Sequence, residues 1–559
     1  MKILRHLFLF LFFCITAHAQ EIDKGELLYN GITLAKPWPP PLDSLTRQPM
    51  PLPYLNHMPE VIPIDIGRQL FVDDFLLESS TAERTYHLAQ FHKTNPVLKP
   101  DRPWESQILS GGHPAPTAMV FSDGVWFDPI DRLFKMWYMA GYVSATAYAT
   151  SRDGILWQKP LLDVKPGTNI VLDKPRDSAT LWLDQEEKNP NRRYKLFVIA
   201  RDKKEWLGSL YASADGIHWG EPVAEDSTTG DRTTLFYNPF RQKWVYSIRS
   251  NQKGMGRSRS YRECDDAVAG LSIYQPEKSL WVGADINDPM RADLNRPPEL
   301  YNLDAVGYES VMLGLFSIWP GQPKDRAKPN YICLGFSRDG FHWHRPDHRP
   351  FINVSEEYGD WNWANIQSAG GGCLVVGDRL YFYFSARAGV KGSSASGVCT
   401  TGLATLRRDG FASLDGGKEE AVVVTHPVLF IGKHLFVNSD SRKGTLLVEI
   451  LDREGRVIEP FTKANCKAIK KDNTLQHVRW KQTKDLSALA GQPVKFRFYL
   501  RNARLYSFWL SQDISGASHG YVAAGGPGFT GPSDTVGKEG YKAAKKMAKQ
   551  QPPPKTGLN

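Results

Sequence analysis

Acidic, basic and aromatic residues cluster at five places along this 559-residue chain. They are Trp104-Glu105 with His113, Arg176-Asp177, Asp231-Arg232, Asp304 with Tyr308-Glu309, and the stretch holding Trp361, Trp363 and Gln367. Aromatic faces cover the apolar side of a sugar ring, amides and carboxylates bind hydroxyls, and paired carboxylates move protons. Brought into one pocket, these residue types suit saccharide chemistry. Each also has a plainer role: Glu105 can cap a turn, Asp231 and Arg232 can form an ion pair, and Glu309 can bind a backbone amide. The run Arg257-Ser258-Arg259-Ser260-Tyr261-Arg262-Glu263 either holds a carboxylate or sulfate with its arginines or pairs internally with Glu263, Asp265 and Asp266.

What must position these residues is a repeat. Ser-x-Asp-Gly-x-x-Trp occurs at residues 151–157, 213–219 and 337–343; its aspartates, Asp153, Asp215 and Asp339, are 62 and then 124 residues apart, one and two steps of one period. A degenerate copy, Arg407-Arg408-Asp409-Gly410-Phe411, follows 70 residues later. Before the copies come aromatic runs that alternate residue by residue after turn signals such as Asp128-Pro129 and Asn238-Pro239, as strands do after tight turns. A fixed period above about 40 residues indicates a radial array of small meanders. Five units are expected, starting near residues 106, 177, 231, 305 and 363, with the strand starts lining a central channel. The Asp-Gly turns are expected to be structural, with Asp accepting backbone N–H bonds and Gly in the left-handed conformation.

Residues 1–19 read as a secretory signal, with Lys2 and Arg5 ahead of a short apolar stretch and Ala17-His18-Ala19 as the cleavage site. The mature chain is therefore expected to be exported, periplasmic or extracellular, without a membrane span. A Pro-rich arm occupies 20–62, the propeller 63–425, an antiparallel β-sandwich 426–514, and a flexible Gly/Pro/Lys-rich tail 515–559. The segment 69–77 is expected to close the ring by joining the last sheet. The fold class is all-β. The five cysteines beyond the signal have neither disulfide-framework nor metal spacing. Net charge is +9, but without a basic cluster interleaved with aromatics a nucleic-acid partner is not expected. A monomer with a carbohydrate partner and no cofactor is expected; a structural calcium ion in the channel is compatible, without ligand spacing to support it.

Asn95-Pro96-Val97-Leu98 ahead of Pro103-Trp104-Glu105, and Gly124-Val125-Trp126-Phe127-Asp128-Pro129 ahead of Phe134-Lys135-Met136-Trp137-Tyr138, resemble segments of the five-bladed propeller glycosidases, the superfamily of glycoside hydrolase families 32, 43, 62, 68 and 130. The resemblance covers about residues 64–425, and family 32 members also carry a trailing sandwich. It implies one carboxylate from each of blades one, three and four, matching Glu105, Asp231 and Glu309, with Asp74 a rival for the first. Glu309 beside Tyr308 would be the general acid, its carboxyl raised by apolar burial. Arg232, His113, Asp177, Tyr308, Trp361, Trp363, Gln367, Arg257 and Arg259 would bind substrate. The function implied is an exo-acting glycoside hydrolase. The alternatives are a sialidase-like enzyme, needing six blades, a Tyr-Glu pair and three convergent arginines, and a non-catalytic glycan-binding protein.

Overall fold

The computed structural model describes residues 25–549 except 107, 203–204, 228 and 272–278. The expected signal segment lies outside the described residues. Five sheets follow one another along the chain and form the blades of a propeller. Their innermost strands are Ala118–Asp128, Ser178–Leu183, Thr234–Asn238, Glu299–Glu309 and Asn365–Ser368, and each is followed outward by antiparallel neighbours. Blade 5 takes its outermost strand, Gln90–Phe91, from the N-terminal side of the ring, pairing it with Ala404 and Thr405. Ring closure is therefore made by 90–91 and not by 69–77 as expected.

The repeated motif is the key between blades. At each copy the serine hydroxyl accepts the glycine N–H, at 2.9 Å for Gly154, 3.0 Å for Gly216 and 2.9 Å for Gly340. The aspartate Oδ1 accepts the next two N–H groups, as Asp339 does from Phe341 and His342 at 2.9 and 2.8 Å. The glycines have φ of +73°, +78° and +85°, which a side chain would strain. The turn thus formed reaches the preceding blade. Tyr383 of blade 5 donates to the Gly154 carbonyl, Trp137 of blade 1 donates to Gly216 at 2.6 Å, and Trp281 of blade 3 donates to Phe341 at 2.8 Å. The degenerate copy follows the same rule, since Asp409 accepts from Tyr308 of blade 4 at 2.6 Å. Asp339→Ala strips the acceptor from two N–H groups and should lower stability by about 1–3 kcal/mol, read as a fall in the denaturant midpoint.

The second core is a sandwich larger than expected. One sheet holds Asp472–His477, His434–Asp440, Ala503–Ser511, Ala412–Gly416 and Glu83–Tyr86, with Gln69–Leu70 also on Ala503–Ser511; the other holds Leu77–Ser80, Ala421–Thr425, Lys495–Arg501 and Thr445–Leu451. The sandwich therefore begins at 412, not 426, and takes in strands from 69–86. Burial explains the recruitment: Phe71, Phe75 and Leu76 are fully buried in this core, and the Phe71 ring lies 5.7 Å from that of Phe508. The Pro-rich arm is pinned by Leu28, Ile32, Leu34 and Tyr54 in the same core.

The tail corrects another expectation, since residues 515–549 are ordered. Tyr521–Val522 pairs with Tyr308 and Glu309 on the inner side of blade 4. Ala524 then crosses the far end of the channel, donating to the Cys373 carbonyl at 3.0 Å and accepting from Phe127 at 2.9 Å, while Ala523 donates to Gly307 at 3.1 Å. The small side chains of this Val-Ala-Ala-Gly-Gly stretch let its backbone enter the ring, and Lys538–Lys549 ends it as a helix. No described helix is long and apolar enough to cross a membrane. The five described cysteines are free, and all but Cys264 are buried.

Candidate active site

At the opposite end from the tail, the starts of the inner strands converge on an axial mouth. Blade 1 contributes Phe121, Ser122 and Asp123 from a β-bulge, where the register shifts between Met119 and Gly124 and Ser122 has φ +60°. Blade 4 carries a second bulge between Leu300 and Asn302, at Tyr301. Bulges re-aim side chains out of the regular alternation. In blade 3 Arg232, just ahead of the inner strand, has φ +59°, a left-handed conformation that costs a non-glycine residue on the order of 1 kcal/mol.

The floor of the mouth is a buried polar web. Asp304 Oδ2 accepts from Ser368 Oγ at 2.6 Å, Asn302 Nδ2 at 2.9 Å and Ser122 Oγ at 3.2 Å. Arg232 donates to Ser122 Oγ at 2.7 Å with its guanidinium 3.9 Å above the Phe121 ring. Arg176 forks onto both oxygens of Asp123 and also donates to Thr146 at 3.1 Å. Several fully buried atoms here have no protein partner: Asp304 Oδ1, Arg232 Nε and Nη1, Arg259 Nη1 and Gln367 Oε1. Buried polar atoms left without partners are costly, so their accumulation at one place marks a site built for a polar guest.

Above the floor the groups reach solvent. Asp231, its side chain 16% exposed, is bridged by Arg249 at 2.8 Å and Arg257 at 3.6 Å. Arg257 lies over Tyr301 at 4.6 Å and Trp319 at 5.4 Å, giving the rim an aromatic wall. Asp177 from blade 2 is half-buried, and among the described residues no group hydrogen-bonds its carboxylate. Burial pushes its pKa up, Arg232 opposes the shift, and the neighbouring charge of Asp231 adds to it. Asp304 is likewise raised by burial and opposed by Arg232.

The structure thus brings together Asp177, Asp231, Arg232, Gln367, Arg257 and Arg259 of the expected set, and parts the rest from them. Glu309 stands at the other end of the blade 4 strand, fully buried and bound by Arg408 at 3.0 Å, Arg68 at 3.3 Å and Ser518 at 2.7 Å. Tyr308 donates to Asp409 beside it. Glu105 is also fully buried: Lys159, the Tyr138 hydroxyl and the N–H groups of Asp101 and Arg102 occupy its oxygens at 2.7–2.9 Å, so it caps a turn as the plainer reading has it. Asp74 is exposed on the sandwich and paired with Arg84 at 2.5 Å. Trp361 packs on Phe91 and Phe384, and Trp363 lies under Arg326, so both are structural. His113 is exposed in a short hairpin. The internal pairing of Arg257 and Arg259 is not formed, because Glu263, Asp265 and Asp266 are taken by Arg241, Lys243 and Arg192.

Residues that the sequence reading missed are Ser122, Asp123, Asn302, Arg249 and Arg387. One signal was available: Ser122-Asp123-Gly124 interrupts an otherwise apolar strand, the mark of a bulge. Among the described residues one group could gather a metal, Asp285, Asp288 and His348; it lies outside the mouth, and Arg345 donates to both aspartates.

No family profile and no curated protein matches the chain. Among solved structures it is similar to an N-acetylgalactosamine deacetylase from F. plautii (15% identity, TM-score 0.38, 56% of this chain and 97% of that one). It is also similar to a thermostable family-43 glycoside hydrolase (11%, 0.39, 56% and 96%) and to a beta-fructofuranosidase from Schwanniomyces occidentalis (12%, 0.33, 75% and 99%).

Proposed function

We propose that this protein is an exported glycoside hydrolase that works from the ends of saccharide chains, with the axial mouth as its active site. The observation that carries this reading is the meeting of Asp177 and Asp231, from adjacent blades, over a buried floor of unpartnered polar atoms. Asp177 is the general acid. Among the described residues no group hydrogen-bonds its carboxyl, and burial raises its pKa, which favours the protonated form that gives a proton to the leaving oxygen. Asp231, fixed between two guanidiniums, is the second carboxylate and either attacks the anomeric carbon or activates water, the choice following from the separation of the two groups across a bound sugar. Asp304 is a positioning residue, fixed from three sides beneath Arg232. Because the tail crosses the far end, the site is a pocket and favours a chain terminus over a continuous strand.

The test is a panel of aryl glycosides and oligosaccharides assayed for released monosaccharide. Release of single terminal units supports the reading; binding without release would leave a glycan-binding protein in its place. The Tyr-Glu pair that a sialidase-like enzyme would need lies at the closed end, at Tyr308 and Glu309. A pH expectation follows from the direction of the Asp177 shift. The acid must be protonated to act, so kcat/KM should fall as pH rises through its raised pKa, and a pH–rate profile should show that alkaline limb above the ordinary carboxylate range.

A further inference from the structure

The mouth carries more cations than anions. Arg176, Arg232, Arg249, Arg257, Arg259 and Arg387 face Asp123, Asp177, Asp231 and Asp304, six arginines against four aspartates. Two of the four carboxylates account for three of the guanidiniums: Asp123 is taken by Arg176, and Asp231 by Arg249 and Arg257. Among the described residues no carboxylate lies within 4 Å of Arg232, Arg259 or Arg387. Arg232 is 1% exposed and Arg259 fully buried, each with guanidinium nitrogens that no protein group accepts from.

Two of these three pack against one ring. The Arg232 and Arg387 guanidiniums lie 3.9 and 5.0 Å from the centre of the same Phe121 ring. Among the described residues Arg387 is held by neutral oxygens, Tyr142 at 3.4 Å and Ser396 at 3.2 Å, and no group there accepts from its Nε. Arg259 holds the Arg232 backbone, donating to its carbonyl at 2.8 Å. Burial and the charge of Arg232 push Arg259 below its ordinary pKa, with Asp304 and Asp231 opposing the shift. Gathering more cations than anions in a desolvated place costs several kcal/mol in general, a cost that an incoming oxyanion lowers.

We infer that Arg387 and Arg232, over Phe121, form a subsite for an anionic group on the saccharide, a carboxylate or a sulfate, so that the substrate is an acidic sugar; this rests on the mouth being the saccharide site. Asp177, protonated in its role as acid, does not repel such a group. A planar carboxylate can take two N–H groups from a guanidinium fork, which a hydroxymethyl group at the same ring position cannot.

The test is calorimetric titration of the full chain at low salt with matched sugars: D-galacturonate against D-galactose, D-glucuronate against D-glucose, and galactose 6-sulfate. At least one acidic member should bind about 10- to 100-fold tighter than its neutral partner, with the advantage shrinking as salt is added. Preference for the uronates identifies the carboxylate, and preference for galactose 6-sulfate the sulfate. Arg387→Gln should collapse the ratio of acidic to neutral affinity and Arg387→Lys should keep part of it, with melting curves showing both variants folded. No acidic advantage in the wild-type protein, or an advantage that survives Arg387→Gln, overturns the subsite. Cleavage of neutral saccharides with no acidic preference would remove the subsite and leave the hydrolase. An acidic preference with no glycoside cleaved would leave the subsite and remove the hydrolase.

Discussion

Asp177→Asn should lower kcat/KM by about 10²- to 10⁴-fold on any glycoside the protein cleaves. The amide fills the same volume and has no proton to give the leaving oxygen, so the variant should fold and bind while turning over slowly. Because Asp177 makes no protein hydrogen bond through its carboxylate among the described residues, its melting midpoint should stay near that of the wild type or rise. Removing a half-buried carboxyl whose pKa is raised removes a group whose charged form burial penalises. The loss should be smaller for substrates with good leaving groups, such as nitrophenyl glycosides, since these need little protonation. A uniform loss across leaving groups would show that Asp177 is not the acid. Asp231→Asn should match the size of the loss without this leaving-group dependence, since its role lies on the other side of the bond.

Glu309→Gln should have the opposite character, a loss of stability of about 3–5 kcal/mol with turnover per folded molecule preserved. Glu309 is ion-paired with Arg68 and accepts from Arg408 beneath the propeller, where Arg408 also reaches Asp534 of the tail at 3.0 Å and Arg68 reaches Asp409 at 3.0 Å. All these side chains are at most 1% exposed. The network ties blade 4, the last blade turn, the sandwich and the tail to one another. Neutralising its central carboxylate leaves two guanidiniums short of charge where water does not reach. Comparing melting midpoint with specific activity of the folded fraction separates this outcome from a catalytic role: loss of turnover in a variant as stable as the wild type would restore Glu309 to the active site.

The contrast between the two carboxylates explains how far the sequence could be read. Turn chemistry is local, so Ser151, Asp153 and Gly154, and their counterparts, declared both the turn and its spacing. From that spacing the meanders and their ring followed. Asp177, Asp231 and Arg232 were legible because each stands just ahead of an inner strand, where a residue must face the mouth. Glu309 was misplaced because the blade 4 strand begins at Glu299 and not near 305. At roughly 3.3 Å per residue an 11-residue strand carries its last side chain about 30 Å from the first, from the open end of the channel to the closed one.

The tail and the sandwich boundary were lost for a different reason. Gly-, Pro- and Lys-rich segments lack the apolar periodicity that marks an element, yet small residues are what a chain needs to cross a crowded hub, as Ala523, Ala524 and Gly525 do. The strands at 69–86 join a sheet more than 300 residues away, a pairing without local signature.

By itself, then, the sequence determined the class of architecture, the turns that key one blade to the next, and the polar strand starts, because these depend on contacts within a few residues or on a regular period. Only the tertiary structure decided which carboxylates share a mouth, which are spent as structural ion pairs, and which end of the channel is closed. Those outcomes depend on strand length, on bulges at Ser122 and Tyr301, and on long-range partners such as Arg68 and Arg408, each of which redirects a side chain without changing the pattern around it.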